Sequence, residues 1–358
     1  MKIKNFIITF VSAIALLLAS STISFAKVVG DKIVLGAAVG EAVLGKKVGN
    51  KAMLWGAIAG TIPDLDTLVG NFLDPITAIE IHRGISHSIL FSIGMAPLLG
   101  WLISKLYYKT KEATCQKWSW LFFWGLVTHP LLDAHTTWGT QLFWPFDLRL
   151  AYQNIFVIDP LYTLPFLVCV ILAMRLPRTS EKRKRVNTLG LILSFSYLVI
   201  TLLLKGVTYF KFTTALDNQN INYTKIDTRP APFNSLLWSA NIDAGNHYLL
   251  ADYSIFDTQS ISFIKVPKQH QLLDKIEDKK ALSRLITISE GWYAVSKKGE
   301  QLYFNDLRFG AYDIYADTLN FAFSYKLVET KNGLTIEEPQ RNSEEMKTVL
   351  GNLWNRIW

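Results

Sequence analysis

The stretch SILFSIGMAPLLGWLISKL, residues 88–106, decides the fold class. It is apolar over nearly its whole length, and about 20 such residues are enough for one helix to cross a bilayer. Further apolar runs cover residues 33–45, 52–62, 118–132, 155–174 and 188–210. The last three also suit membrane spans. The first two are short and rich in Gly and Ala, which lets helices pack closely in lipid, so they predict a tight helical hairpin.

The composition agrees with a membrane protein, since half of the 358 residues are hydrophobic and the mean hydropathy is +0.21. A net charge of +8 could by itself indicate a nucleic-acid partner. The basic residues, however, concentrate at 46–51, 105–117 and 175–185, between apolar runs. That distribution is typical of cytoplasmic loops. Because no recognition motif accompanies the charge, we predict a membrane bilayer as the partner and no nucleic acid.

The N-terminal residues have the layout of a secretory signal. Lys2 and Lys4 precede an apolar stretch at 6–19, and Ser24-Phe25-Ala26 follows, with small residues at 24 and 26. An uncleaved anchor helix fits the same pattern. The chain has only two cysteines, so we expect neither a disulfide framework nor a cysteine-based zinc site.

After residue 210 the sequence becomes polar and strand-like. Strands are predicted at 248–256, 261–266 and 292–304, and amphipathic helices at 268–286 and 344–357. The prediction is therefore a multi-pass α-helical membrane domain followed by a C-terminal soluble α+β domain. Its parts are a signal peptide or anchor (1–30), a membrane-embedded domain (31–210) and the soluble domain (211–358).

Charge also predicts which motifs share one side of the membrane. With the basic segments in the cytoplasm, residues 63–66 follow a segment that runs outward, and residues 82–87 precede a span that runs inward. Residues 129–133 end a segment that runs outward again. We therefore expect all three motifs, and the C-terminal domain, on the extracytoplasmic side.

His129 and Asp133 are four residues apart, which places both side chains on one face of a helix. This spacing allows one helix to supply two ligands to a metal. Pro130 disfavours the helical conformation of the residue before it, so we expect the helix to restart at Pro130 with His129 as its cap. The alternative is a hydrogen-bonded histidine with a supporting carboxylate.

His82 and His87 lie on either side of Gly84, just before the run at 88–106. On an ideal helix their side chains would diverge by about 140°. Gly84 predicts an irregular segment that lets both imidazoles turn inward. Arg83 between them either binds an anionic group in a bidentate manner or extends to the lipid headgroups.

Asp64 and Asp66 follow Pro63 at the end of a small-residue run. Two carboxylates this close repel each other unless a cation or a shared proton intervenes. As a pair they suit a bridging metal ligand and a general base, and the alternative is a solvated turn with an Asp cap. Glu41, inside another apolar run, is either functional or paired with a nearby lysine.

Taken in order, these segments resemble a known family. They are VLGAAVGEA (34–42), GTIPDLD (60–66), HRGISHS (82–88), THPLLD (128–133) and WGTQ (138–141). Over residues 31–210 they are similar to the YdjM-type family of membrane-bound metal-dependent hydrolases. The resemblance implies the bacterial inner membrane. On matching positions it also implies a metal-ligand set of Asp64, Asp66, His82, His87, His129 and Asp133.

The expected function is hydrolysis by metal-activated water. Mixed nitrogen and oxygen ligation suits zinc, with manganese or iron as alternatives. Asp64 or Asp66 would accept the proton of the water, and Arg83 would stabilise the developing anion. A phosphoester or ester of a lipid or cell-envelope component is the expected substrate.

Two alternatives stay open from the residues alone. A metal-free membrane lipid phosphatase shares the spacing of His129 and Asp133, but it needs an upstream arginine, and residues 121–128 contain none. A non-catalytic membrane scaffold would use a structural metal and bind a protein partner through its C-terminal domain. An open coordination position separates a catalytic site from a structural one.

Overall fold

The computed structural model describes residues 30–109, 112–311, 314–315, 319–331, 333–337 and 351–358. Its contacts divide the chain into two compact units. The first comprises the described residues up to Asp66, Arg83–Tyr152 and Val157–Ile200; the second comprises Thr67–His82, Gln153–Phe156 and the described residues from Thr201 onward. The predicted signal or anchor, apart from Gly30, lies outside the described residues.

Helices build the first unit. The main ones are α1 (Gly30–Gly40), α2 (Asn50–Ala59), α3 (Ile89–Leu106), α4 (Cys115–Asp133), α5 (Pro160–Met174) and the first part of α6 (Glu181–Asn218). Shorter segments of this unit lie at Glu41–Gly45 (a π-helical turn), Lys46–Val48, Pro63–Leu65 and Ile85–His87. Two more, Asp66–Gly70 from Thr67 onward and Pro75–Ile81, belong to the second unit. Because α6 continues to Asn218, the predicted domain boundary at residue 210 lies inside a helix.

The predicted helical hairpin is formed by α1 and α2. Gly49, with a φ of 61°, lies at the reversal between them. The two helices approach so closely that a Cβ added to Gly56 would overlap the carbonyl oxygen of Gly36. Glycine at these positions therefore allows backbone-to-backbone packing, as in tightly packed membrane helices.

Replacing Gly56 by Ala is expected to destabilise the first unit by about 1–3 kcal/mol, because the new methyl group has no space between α1 and α2. Gly94→Ala is the matched control, since nothing lies within 4 Å of an added Cβ at that position in α3. Thermal unfolding of the detergent-purified variants measures the difference. Equal unfolding temperatures for the two variants would contradict this view of the hairpin.

Two helices among the described residues, α3 and α6, are long and apolar enough to cross a membrane, and α5 is apolar but shorter. Their large apolar side chains are exposed at many positions, including Leu90, Ile93, Leu98, Leu164, Val168, Leu189, Ile192 and Phe195. Exposed apolar surface on this scale indicates contact with lipid or another apolar partner. Two of the four predicted spans are thus long and apolar enough to cross a membrane.

The second unit contains two four-stranded antiparallel sheets, each with its strands in sequence order. The first has β1 (Lys225–Pro230), β2 (Leu237–Asp243), β3 (His247–Ser254) and β4 (Ile264–Pro267). The second has β5 (Tyr293–Lys298), β6 (Gln301–Ala311), β7 (Phe321–Thr330) and β8 (Gly333–Glu337). Side chains of β3 and β5, among them Tyr248, Leu250 and Ala294, share one apolar core.

The predicted strands at 248–256, 261–266 and 292–304 correspond to β3, β4 and the β5–β6 hairpin. The helix predicted at 268–286 is instead a 3-10 segment, His270–Lys275, followed by α7 (Lys279–Ile288). The break occurs because Asp278 caps α7, accepting a hydrogen bond from the Ala281 amide at 3.0 Å. Residues 351–357 are helical, and the start of the pattern predicted at 344 lies outside the described residues.

Candidate metal centre

Four of the side chains singled out by the sequence converge in the first unit: Asp64, His87, His129 and Asp133. One ligand atom from each lies within 4.8 Å of the others, and all four residues are at most 2% exposed. The two Nε2 atoms are 3.2 Å apart. Each Nε2 lies 3.4 Å from Asp64 Oδ1, and Asp133 Oδ2 is 3.3 Å from His87 and 3.2 Å from His129.

These distances fit a single metal ion. A point equidistant from the four atoms lies about 2.0–2.4 Å from each, a range that includes the zinc–nitrogen and zinc–oxygen lengths of about 2.0–2.2 Å. The two imidazole lone pairs also cannot face each other at 3.2 Å unless a proton or a cation lies between them. The donor set, two imidazoles and two carboxylates, is one that zinc accepts.

Short irregular segments bring Asp64 and His87 into the group. Asp64 lies in the 3-10 turn Pro63–Leu65, and His87 ends the 3-10 turn Ile85–His87 directly before α3. Arg83 has a φ of 62°, so the backbone is irregular next to Gly84, as the sequence predicts. The Ser88 side chain then caps α3 by accepting a hydrogen bond from the Phe91 amide at 3.0 Å.

The expectation that a helix restarts at Pro130 is wrong. Helix α4 runs without interruption from Cys115 to Asp133, and Pro130 lies inside it. Pro130 removes the amide that would donate to the carbonyl four residues earlier, and the rest of the helix is nevertheless continuous. His129 and Asp133 therefore share one helical face, and their contact is the i, i+4 pair that the spacing predicts.

Groups outside the cluster set the orientation of both imidazoles. The Gly60 carbonyl oxygen lies 2.6 Å from His129 Nδ1. Ser86 Oγ lies 3.0 Å and Asp66 Oδ2 3.4 Å from His87 Nδ1. Partners on Nδ1 fix the tautomer of a metal-binding histidine and direct Nε2 toward the metal. Asp66 thus helps to orient the His87 imidazole. It also accepts hydrogen bonds from the Arg83 amide and Ser86 Oγ, at 3.0 and 2.8 Å.

Two buried cations contact Asp133. Lys32 Nζ lies 3.3 Å from Oδ1, and Arg83 Nε lies 3.4 Å from Oδ2. Arg83 is only 1% exposed and donates hydrogen bonds to Thr136 Oγ1 and the Gly139 carbonyl, at 2.7 and 3.3 Å. It therefore does not extend to lipid headgroups. Sequence reasoning missed Lys32, although a lysine next to an apolar helix start is a signal that could have drawn attention to it.

The charges of the group affect its protonation. Burial disfavours the charged form of His87, but hydrogen bonds to Asp133, Asp64 and Asp66 outweigh it and raise the pKa of His87 to about 10. Burial would raise the pKa of Asp64, yet His129 and Lys32 hold that pKa well below its usual value. A metal that binds here must therefore displace a proton from the imidazole pair.

Other candidate residues lie elsewhere. His82 ends the helix Pro75–Ile81 and is not one of the four converging residues, so its ligand role stays a prediction. The His135 ring packs against Tyr152, with ring centroids 5.2 Å apart. Glu41 pairs with Arg183 instead of a lysine: Arg183 Nε lies 2.7 Å from Oε1, and both side chains are buried.

Comparison with known proteins agrees with these motifs. The model of the YdjM inner membrane protein family matches residues 29–207. A curated relative, Inner membrane protein YbcI of Escherichia coli (strain K12), is 34% identical over 103 residues, which are 28% of this chain and 57% of that protein. The chain thus spans little more than half the length of that relative. No solved structure matches the chain.

Proposed function

The chain belongs to the YdjM inner membrane protein family, as its motifs predict, and we propose that it is a metal-dependent hydrolase. The observation that carries the proposal is the buried convergence of two imidazoles and two carboxylates. A divalent metal held there would lower the pKa of a coordinated water to about 7 and so supply a nucleophile at neutral pH. Mixed nitrogen and oxygen ligation suits zinc, with manganese or iron as alternatives.

In this proposal Asp64, His87, His129 and Asp133 hold the metal, and Asp64 also accepts the proton of the attacking water. Asp66 is a positioning residue, because its carboxylate lies next to His87 Nδ1 and accepts hydrogen bonds from Ser86 and the Arg83 amide. Lys32 and Arg83 supply the positive charge that stabilises the developing anion.

We place the site at the extracytoplasmic end of a multi-pass domain in which α3 and α6 are spans. The support is the length and apolar character of these helices and the concentration of basic residues away from the metal-binding motifs. The C-terminal domain would lie on the same side. A site beside lipid favours a phosphoester or ester of a lipid or cell-envelope component as substrate.

One observation favours a second candidate, a scaffold with a structural metal. The group has four protein ligands, each at most 2% exposed, and structural zinc sites are closed in this way, whereas catalytic sites keep one position open. The C-terminal domain would then bind a protein partner.

Turnover by the detergent-purified, zinc-loaded protein separates the two candidates. Phosphodiester, phosphomonoester and carboxylic ester substrates, both soluble and lipid-borne, are offered to the wild type. For a hydrolase, Asp64→Asn should lower kcat by about 100-fold or more, the usual contribution of a general base. Asp147→Asn, at an exposed loop position, is the matched control and should keep wild-type kcat. Bound zinc without turnover of any substrate would favour the scaffold.

A further inference from the structure

A cavity lies in the first unit, toward the other end of α4 from the metal centre. Its volume is about 570 Å³, and Lys117, Trp120 and Trp124 of α4 line it. Lys117 is twelve residues before His129, which corresponds to about 18 Å along a helix. The other lining residues come from the turn after α1, from the segment that leads into α6 and from the first turns of α6. The cavity is thus separate from the proposed active site.

The charge of this cavity is strongly positive. Its lining includes five cationic side chains, namely Lys46, Lys47, Lys117, Arg178 and Lys184, and two acidic ones, Glu41 and Glu181. Glu41 is neutralised by Arg183, and Arg178 pairs with Glu112 at 3.1 Å. Over the part of the chain that the structure describes, the four lysines form no ion pair. The cavity lining therefore has excess positive charge, which Glu181 offsets only in part.

Two of these lysines lie close together. The neighbouring Lys47 ammonium lowers the pKa of Lys117, because two positive charges at short range oppose each other's protonation. They come from segments 70 residues apart in the chain, so the fold itself brings them together. An anion between them would remove the repulsion and add a charge-assisted hydrogen bond from each.

The cavity also has apolar and hydrogen-bonding components. Trp120 and Trp124 are one helical turn apart on α4 and are 50% and 44% exposed, and tryptophan is enriched where lipid headgroups meet acyl chains. Asn187 is buried and donates from Nδ2 to the Ala38 carbonyl at 2.9 Å. Its Oδ1 has no hydrogen-bond partner among the described residues, which leaves an acceptor for a ligand hydroxyl.

We propose that this cavity binds the phosphate-bearing headgroup of an anionic phospholipid, in the leaflet that the basic loops face. Basic pockets between membrane helices recognise acidic headgroups in this way. A volume of about 570 Å³ lies within the usual range for ligand pockets, about 300–1,000 Å³, and holds a phosphoglycerol group. The exposed tryptophans favour a lipid over a free phosphate, because only a lipid also brings acyl chains to this position.

Lipid binding to the full-length protein in detergent tests the proposal. The probe is phosphatidylglycerol, with phosphatidylcholine as the neutral comparison, and retained lipid is counted by native mass spectrometry. The double variant Lys47→Gln/Lys117→Gln should weaken phosphatidylglycerol binding by about tenfold or more, since each basic residue near the headgroups contributes measurably. Because neither side chain is buried, the fold should survive the change.

The matched control is Lys109→Gln/Lys182→Gln, which removes the same charge from basic segments on the same side of the domain, at positions outside the cavity lining. It should bind phosphatidylglycerol within about twofold of the wild type, because a lysine away from the headgroup adds only a screened, long-range attraction. Equal losses in both double variants, or equal binding of phosphatidylcholine, would overturn the proposal. So would competition by inorganic phosphate or glycerol phosphate at the concentration of the lipid, since the ligand would then be a soluble anion.

Discussion

Replacing His129 by Ala is expected to take the metal content of the purified protein from about one ion per chain to near zero, because a four-ligand site depends on each ligand. His129 Nε2 lies within 3.2–3.4 Å of ligand atoms on the other three residues. Its loss leaves one imidazole and two carboxylates, a weaker set for zinc. Elemental analysis of protein purified in detergent measures the change.

Two further histidine variants serve as controls. His135→Ala changes an imidazole only two residues beyond Asp133 whose ring contacts Tyr152, and it should keep the full metal content. His82→Ala distinguishes the four-residue group from the larger set implied by the family resemblance, and we expect it to keep the metal as well. Equal metal content in His129→Ala and His135→Ala would refute the ligand assignment.

The second large effect concerns the metal-free protein. Asp133→Ala removes the carboxylate that both Lys32 and Arg83 contact, and these cations are 2% and 1% exposed. Removing one partner of a buried ion pair costs about 3–5 kcal/mol, because the remaining charge stays buried and loses its nearest opposite charge. We therefore expect a loss of this size in the free energy of unfolding.

Glu112→Ala is the matched control for this loss. Glu112 pairs with Lys51 and Arg178, but its side chain is 26% exposed, and ion pairs in contact with water contribute about 0–1 kcal/mol. Adding Lys32→Met to Asp133→Ala should recover part of the stability, since it removes a buried charge that has lost its contact with Asp133. The free energies of unfolding are compared in the presence of chelator. Equal losses in Asp133→Ala and Glu112→Ala would show that Asp133, Lys32 and Arg83 are not energetically coupled.

Local spacing predicted part of the metal centre. The i, i+4 relation of His129 and Asp133 places both on one face of α4, and Gly84 predicts the irregular path that brings His87 inward. Spacing could not choose between His82 and His87, because both lie beside the same irregular segment. It also could not separate Asp64, which joins the group, from Asp66, which lies next to His87 Nδ1.

Long-range pairs were beyond prediction from the sequence. Lys32 contacts Asp133 only because α1 packs against α4, and Glu41 meets Arg183 across 142 residues of sequence. No local pattern specifies such partners. The predicted resemblance to the YdjM-type family over residues 31–210 is confirmed by the family match at residues 29–207. This part could be predicted because several motifs in a fixed order carry information that single residues lack.

Strand prediction was incomplete for a different reason. Strand β7, FAFSYKLVET, alternates apolar and polar residues from Phe323 to Leu327, a signal that could have revealed it. Strand β1, KIDTRP, shows no such alternation, and its place in the sheet depends on pairing with β2. Pairing between strands is a tertiary property that a short polar segment does not encode by itself.

X-ray absorption at the zinc edge of the loaded, detergent-purified protein tests the metal centre most directly. We expect one zinc per chain with two imidazole nitrogens and two or three oxygens, from the carboxylates and a coordinated water, at about 2.0–2.2 Å, and the same spectrum from His135→Ala. A coordination shell that contains sulfur, or one with oxygen neighbours and no imidazole, would contradict the assignment of Asp64, His87, His129 and Asp133 as the ligands.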